Sequence, residues 1–141
     1  MRKSLNNKGY MLVEIILASA IAMIVAYFII DLTIKLKNNN DDLLVKTLVY
    51  TDQAIIYNEI AEDLYSLGSS VTCDYVKGKV AISDNTFTYN GFSNVITEYA
   101  KLGSLSCTQN GSKIYIKIPI TVKQLPDEVF DINLIYTNGS I

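Results

Sequence analysis

The sequence contains neither histidine nor tryptophan among its 141 residues. Histidine is the usual base that activates a serine or cysteine nucleophile, so its absence removes the most common form of nucleophilic catalysis. The chain also has neither a glycine-rich phosphate-binding loop nor the ligand spacing of a zinc site. We therefore expect a protein that is not an enzyme and that uses neither a cofactor nor a metal ion.

Acidic residues are missing from the start of the chain, where Arg2, Lys3 and Lys8 are the only charged residues of the segment 1–9. Residues 10–30 follow as an apolar run whose single charge is Glu14. As a helix this run is about 30 Å long, which is enough to cross the hydrocarbon core of a bilayer. Positive charge before the run predicts a cytoplasmic N-terminus and translocation of the remaining chain.

The chain beyond the apolar run is acidic, so it has no general attraction to the phosphates of nucleic acids. It contains the only two cysteines of the sequence, Cys73 and Cys107. An oxidising compartment favours a disulfide between them, and closing a loop of this size stabilises a fold by about 3–4 kcal/mol in the chain-entropy model. The alternative is two separate buried thiols.

Glu14 is the most informative residue of the apolar run. A carboxylate inside a membrane helix usually has a partner, although one close to the interface can also reach back to the lipid headgroups. A secretory signal peptide is a second interpretation, because Ala18-Ser19-Ala20 and Ala20-Ile21-Ala22 offer small residues for cleavage. Such a cut would leave an apolar mature N-terminus and would place Glu14 in the apolar part of the signal, where a carboxylate weakens insertion.

The residues around Glu14 resemble the prepilin signature of type IV pilins and type II secretion pseudopilins. That signature combines a short basic leader ending in glycine, a hydrophobic first mature residue and a glutamate at the fifth mature position. The matching residues here are the basic leader, the unbroken apolar helix and, between them, Lys8-Gly9-Tyr10-Met11-Leu12-Val13-Glu14. The resemblance covers residues 1–37 and is only architectural beyond them.

The resemblance implies that a prepilin peptidase cleaves between Gly9 and Tyr10 and methylates the new amino group of Tyr10. The first mature residue of the family is more often phenylalanine, and this departure bears on methylation rather than on cleavage. The freed amine of Tyr10 would pair with Glu14 of an adjacent subunit, and such a pair is far stronger at low dielectric than at a surface. The implied partners are other pilin subunits of the same filament, the prepilin peptidase, the pilus assembly platform and the membrane.

The helix is predicted to continue to Leu67, and Gly68-Ser69-Ser70 ends the helical pattern. An apolar stripe recurs at mostly three- and four-residue steps, at Val45, Val49, Ile56, Ile60, Leu64 and Leu67, widened by Leu44, Leu48 and Ile55. Acidic residues occupy much of the other surface, at Asp52, Glu59, Glu62 and Asp63. A local break is favoured by three consecutive asparagines, Asn38, Asn39 and Asn40. Many major pilins have a proline in this helix, whereas this chain has none before Pro119.

From Val71 onward the apolar pattern alternates, which predicts short strands. The predicted strands are Val71–Val76, Lys79–Ser83, Thr86–Tyr89, Ser104–Gln109, Ser112–Val122 and Val129–Tyr136. The segment 92–99 is left open between one helical turn and a covering loop. Asn110-Gly111 predicts a hairpin, and Pro119 predicts an edge strand or a bulge. One face of the longest strand is expected to pack on the helix, with Ile114, Ile116, Ile118, Ile120 and Val122.

Three weaker patterns lie in the same region. A calcium site needs oxygen ligands such as those of Asp127, Glu128 and Asp131, but acids in a loop are more often solvated. DNA is a permitted but not a favoured partner of one basic strand face, which carries Lys113, Tyr115, Lys117 and Lys123. The glycosylation sequon occurs twice, but turn chemistry accounts for both Asn110-Gly111-Ser112 and Asn138-Gly139-Ser140.

The sequence thus predicts an α+β, pilin-like fold in which a long N-terminal helix packs on a small antiparallel β-sheet. The predicted parts are a cleaved leader at 1–9, a transmembrane and polymerisation half-helix at 10–30, an extracytoplasmic amphipathic half-helix at 31–67 and a β-sheet domain at 68–141. The expected function is that of a structural subunit of a type IV pilus, competence pilus or type II secretion pseudopilus. A minor pilin or minor pseudopilin is favoured, because Ile55–Leu67 resembles the helix end of minor pseudopilins.

The expected location is a single pass through the cytoplasmic membrane, with the N-terminus inside, before assembly. After assembly the subunit would lie in a cell-surface or periplasmic filament. The alternative function is a membrane-anchored extracytoplasmic binding module that never polymerises. Such a module would keep residues 1–9 and would not depend on Glu14.

Overall fold

The computed structural model describes residues 7–68 and 71–139, with side chains from Met11 onward, and has an α+β fold. Helix α1 spans Asn7–Leu67 and helix α2 spans Cys73–Lys79. The strands are β1 Val80–Ser83, β2 Thr86–Tyr89, β3 Phe92–Val95, β4 Ala100–Leu102, β5 Ser106–Asn110, β6 Lys113–Val122 and β7 Phe130–Thr137. The chain divides into two compact units, one ending at Asp41 and the other beginning at Asp42, which are described separately below.

Helix α1 has no interruption at the three asparagines, so the predicted break at Asn38–Asn40 is wrong. All three side chains are exposed to solvent. An exposed asparagine costs a helix only a few tenths of a kcal/mol relative to the best helix formers, or about 0.7 at most. That cost is smaller than the price of ending a long helix and starting it again, since nucleation is unfavourable.

In the second unit, one narrow stripe of α1 is buried, as the apolar spacing predicts. Val49, Ile56, Ile60 and Leu64 are at most 1% exposed. The predicted widening of this stripe is wrong, because Leu44, Leu48 and Ile55 remain 57%, 40% and 39% exposed. Leu67 lies at the margin, at 37% exposure. The β-sheets therefore cover only a limited arc of the helix.

Residues 71–76 do not form the predicted strand. Helix α2 begins at Cys73, and Thr72 caps it by accepting a hydrogen bond at 3.3 Å from the backbone N–H of Tyr75. Asp74 in the first turn and Lys77 and Lys79 in the last turn match the polarity of the helix dipole. A threonine cap followed by an acid is a helix-start signal, and it outweighs the short apolar alternation that suggested a strand.

The first sheet has the antiparallel order β1-β2-β3. Strands β1 and β2 are joined by a hairpin at Asp84-Asn85, with Ser83 paired to Thr86. The second hairpin turns at Asn90-Gly91, where φ is 46° and 92°, the left-handed conformation that a two-residue hairpin turn of this kind requires. This hairpin leads into β3. The segment 92–99 therefore begins as a strand, whereas the sequence pattern left one helical turn or a covering loop as the alternatives.

The second sheet is built around β6, which pairs with β4 and β5 along one edge and with β7 along the other. The predicted alternation of β6 is confirmed, since Ile114, Ile116, Ile118, Ile120 and Val122 are all at most 3% exposed. The predicted hairpin is also present, with Asn110 paired to Lys113 across Gly111 and Ser112. Strand β4 lies in a segment for which no strand was expected.

Pro119 lies in the central strand β6, so the predicted edge position is wrong. The register of β6 with β7 is unbroken from Lys113 to Ile120, so β6 itself has no bulge there, and the irregularity lies in the chain opposite Pro119. Leu102 pairs with Ile120 and Ser106 pairs with Lys117, so that residues 103–105 lie opposite only residues 118–119. The backbone N–H of Gly103 donates to the carbonyl of Pro119 at 2.7 Å. The nitrogen of Pro119 faces the same side of the strand, and its missing N–H therefore falls at this irregularity.

The stripe of α1 and the inner faces of both sheets share one hydrophobic core. Polar contacts surround it: the Thr97 N–H donates to Asp52 at 2.8 Å, and the Gln53 side-chain amide donates to the carbonyl of Asp131 at 3.1 Å. Asp63 accepts hydrogen bonds from the hydroxyls of Tyr75 and Tyr89 at 3.2 and 2.7 Å. Asp52 and Asp63 thus hold the helix to the domain rather than lying on an opposite acidic surface.

The contact between Gly103 and Pro119 leads to a stability prediction. A Cβ atom at Gly103 would lie 2.6 Å from Cγ of Pro119 and 3.3 Å from its carbonyl oxygen. We expect Gly103→Ala to lower the free energy of unfolding by about 1–3 kcal/mol, as overpacking of a tight site does. Urea unfolding of the full chain in detergent, followed by tyrosine absorbance, measures this change.

Two variants control this measurement. Gly78→Ala places a methyl group in open space within α2 and should be neutral or stabilising by up to about 1 kcal/mol. In a Pro119→Ala background the ring is gone, so Gly103→Ala should cost much less. An equal cost in both backgrounds would show that the ring contact is not the cause.

Candidate functional site

The first unit consists of the N-terminal part of α1, and its apolar surface is exposed on every side. All described side chains from Met11 to Ile30 are exposed, and values such as 62% for Leu17 and 69% for Phe28 are typical. A helix that is apolar all round is stable in a membrane or inside a larger helical assembly, but not in water. By length and composition this helix is able to cross a membrane, which is compatible with a single-pass membrane anchor.

The two aliphatic hydroxyl groups in the described part of the first unit, those of Ser19 and Thr33, are satisfied within the helix. Ser19 donates to the carbonyl of Ile16 at 2.8 Å, and Thr33 donates to the carbonyl of Ile29 at 2.7 Å. The first ion pair along the described part of the helix joins Asp31 to Lys35 at 2.8 Å, one turn apart. Between Met11 and Ile30, the polar groups left to face a surrounding apolar phase are thus the carboxylate of Glu14 and the hydroxyl of Tyr27, which is 73% exposed.

Glu14 is exposed on α1 and lies between apolar neighbours one turn away, such as Met11 and Leu17. Among the side chains that the structure describes, none forms an ion pair or hydrogen bond with Glu14. A carboxylate on this surface can be accommodated in an apolar phase only with a cationic or hydrogen-bonding partner. Glu14 is thus a carboxylate without a described partner, on a helix that by length and composition is able to cross a membrane.

Gly9 and Tyr10 both have helical backbone at the start of α1, while the side chain of Tyr10 and all of residues 1–6 lie outside the described part of the chain. A protease cleft binds an extended backbone, so the expected cleavage would require the first turns of α1 to unwind. Glycine favours such unwinding, because it is among the least helix-stabilising residues.

The predicted disulfide between Cys73 and Cys107 is confirmed and joins the first residue of α2 to strand β5. Both cysteines are partly buried against the hydrophobic core. Helix α2 buries only one residue fully, Val76. The disulfide therefore supplies much of what holds this short helix to the second sheet.

The three acids considered for calcium do not converge. Glu128 pairs with Lys46 at 2.5 Å, and this hydrogen bond raises the pKa of Lys46 above its ordinary value. Asp131 pairs with Lys117 at 2.7 Å, whereas Asp127 is exposed. Within residues 7–68 and 71–139, no group of three acidic or cysteine side chains is placed to hold a metal ion. Glu128 and Asp131 thus act as ion-pair partners of two lysines.

The basic side chains of β6 lie on an exposed face, as predicted. Lys113, Tyr115 and Lys117 are exposed on the side of the strand opposite the isoleucines. Lys123 lies just beyond the strand and is exposed as well. Because Lys117 is engaged with Asp131, the positive charge of this face is partly neutralised. Nothing in this arrangement favours DNA over a solvated outer face.

Sequence reasoning missed the role of Asp63, which brings together two tyrosines from α2 and β2. Burial and the hydrogen bond to Asp63 raise the pKa of Tyr89, which therefore stays protonated as a donor. The signal in the sequence is slight: Asp63 directly precedes Leu64, a residue of the buried stripe. Its neighbours across the domain cannot be read from spacing along the chain.

Comparisons of the chain with protein-family models, with curated proteins and with solved structures gave no match.

The disulfide leads to a second prediction. Replacing both Cys73 and Cys107 with serine should lower the free energy of unfolding by about 3–4 kcal/mol, because the unfolded chain loses the constraint of a closed loop. Urea unfolding of the full chain in detergent measures the difference. Reduced wild-type protein is the matched control and should fall by a similar amount, and an unchanged unfolding midpoint in both would contradict the prediction.

Proposed function

We propose that this chain is a structural subunit of a type IV pilin-like filament, either a type IV or competence pilus or a type II secretion pseudopilus. The observation that carries the proposal is Glu14, a carboxylate with no partner among the described side chains, on a helix surface that is otherwise almost entirely apolar. A cation supplied by a neighbouring chain would complete this charge pair. The basic leader and Gly9, which precede Glu14 at the spacing of the prepilin signature, support the same proposal.

In the proposed mechanism, prepilin peptidase removes residues 1–9 and frees the amine of Tyr10. The ammonium group of Tyr10 pairs with Glu14 of an adjacent subunit while both helices lie in an apolar environment. The pair is satisfied only at one axial offset between helices, so it sets the register of addition. The subunit performs no catalysis and acts through its helix, its membrane insertion and its contacts with other subunits and the assembly platform.

The exposed apolar residues of α1 beyond the membrane-length segment also support assembly through the helix. Leu44, Leu48 and Ile55 lie outside the buried stripe and stay exposed in the single chain. A solvated monomer gains nothing from leucine and isoleucine at these positions, whereas packed helices would bury them. A minor subunit, present in few copies, is the form of the proposal that we favour.

The first experiment determines the intact mass and the N-terminal sequence of the protein from cells with and without prepilin peptidase. We expect a mature start at Tyr10, with or without one added methyl group, only where the peptidase is present. A start at Met1 in both strains would contradict the proposal and favour a static membrane anchor whose function lies in the β-sheet domain. A start within 20–23 in both strains would instead identify a secretory signal.

The second experiment replaces Glu14 with alanine and, separately, with the isosteric glutamine. Both variants should insert and be cleaved, but their incorporation into filaments should fall at least tenfold, which corresponds to about 1.4 kcal/mol. The amount of variant in sheared or isolated filaments, relative to that in the membrane, measures incorporation.

Asp31→Asn is the matched control, because it removes a carboxylate from the same helix where that carboxylate already has a partner in Lys35. We expect this variant to assemble normally. Normal assembly of both Glu14 variants would contradict the charge-pair mechanism, and absence of the wild-type chain from any filament would contradict the proposed function itself.

A further inference from the structure

Three asparagines of this chain are followed directly by glycine, at Asn90-Gly91, Asn110-Gly111 and Asn138-Gly139. Each of the three glycines has a positive φ, at 92°, 60° and 86°. Asparagine before glycine is chemically labile, because glycine has no side chain to obstruct attack by its own backbone nitrogen on the asparagine amide. Since the following residue is the same in all three pairs, we expect differences in their reactivity to come mainly from the fold.

Two of the three asparagine side chains are held in place. The Nζ of Lys79 donates to Oδ1 of Asn90 at 2.7 Å, and the backbone N–H of Asn90 donates to the carbonyl of Lys79 at 3.3 Å. Nδ2 of Asn138 donates to the carbonyl of Val71 at 3.0 Å, and its Oδ1 is buried. Ring closure requires the side chain to rotate toward the next nitrogen, so these contacts must first break.

Asn110 differs from both. It is exposed at the end of β5, and within the described part of the chain its side chain has no hydrogen-bond partner. The space around Gly111 is open, since an added Cβ atom would meet nothing within 4 Å. We propose that Asn110 is a site of spontaneous deamidation in the folded protein, reactive in preference to Asn90 and Asn138.

The proposed reaction needs only water and a base from the solvent. The backbone nitrogen of Gly111 attacks Cγ of Asn110, the Cγ–Nδ2 bond breaks, and ammonia leaves with the proton that the Gly111 nitrogen gives up. The product is a five-membered succinimide. Water then opens the ring at Cγ, which gives aspartate, or at the backbone carbonyl carbon of Asn110, which gives isoaspartate.

Either product alters the tip of the β5–β6 hairpin. A new carboxylate appears opposite Lys113, the register partner of Asn110. Isoaspartate also routes the main chain through the side-chain carbon, which lengthens the backbone at the last pair of the hairpin. The pairing between Asn110 and Lys113 is then lost, and the tip becomes looser and more acidic with the age of the protein.

The test uses the full chain in detergent, incubated at mildly alkaline pH in water enriched in the heavy oxygen isotope. Mass-spectrometric peptide mapping then identifies asparagines that have exchanged their amide for labelled oxygen. We expect product at Asn110 to accumulate several-fold faster than at Asn90 or Asn138, and to form faster as pH rises. In urea with the disulfide reduced, the three rates should converge.

Lys79→Ala provides a matched control, since it removes the contact that holds Asn90. We expect the rate at Asn90 to rise several-fold while the rate at Asn110 stays unchanged. A rate at Asn110 no faster than at the other two sites in the folded protein would overturn the proposal. A difference that persists in urea would also overturn it, because the cause would then be the local sequence rather than the fold.

Discussion

The second unit depends on burial of one stripe of α1 against the inner faces of two small sheets. Ile56, Ile60 and Leu64 are fully buried in that contact, together with alternate residues of β6 and β7. Neither sheet has a core of its own, because short antiparallel sheets need an apolar partner on one face to be stable. Asp52 and Asp63 lie beside this stripe and accept hydrogen bonds from the domain. These hydrogen bonds add to the apolar contact and do not substitute for it.

The same helix meets a different requirement in the first unit, where no stripe exists and apolar side chains are exposed all round. Water does not stabilise such a surface, so the segment requires a membrane, other helices, or both in turn. Glu14 is the residue that fits a bare membrane helix least well. An unpaired carboxylate costs several kcal/mol in an apolar phase, and a partner from another chain removes most of that cost.

Sequence reasoning succeeded where one face of an element is buried, because burial imposes a period that can be read directly. The isoleucines of β6 and the stripe of α1 are the clearest cases. It failed where local signals compete: the alternation at 71–76 concealed helix α2, although Thr72 and Asp74 are helix-start residues. It also failed where contacts are distant in sequence, since nothing near Asp63 indicates Tyr89. For Glu14, the residue type alone predicts a carboxylate that needs a partner. The partner itself, the amine of Tyr10 in an adjacent subunit, follows only from the prepilin resemblance and stays a prediction.

The exposed apolar residues of α1 within the second unit bear on the choice between a filament subunit and a static anchor. Leu44 is 57% exposed, and Leu48 and Ile55 are close to 40%, although the sheets offer them no contact surface. In a static anchor these positions would face water at all times, and selection for solubility would favour polar residues there. In a helix that packs against neighbouring chains, the same residues would gain burial on assembly. The exposure of these three residues therefore supports the proposal of a filament subunit over that of a static anchor.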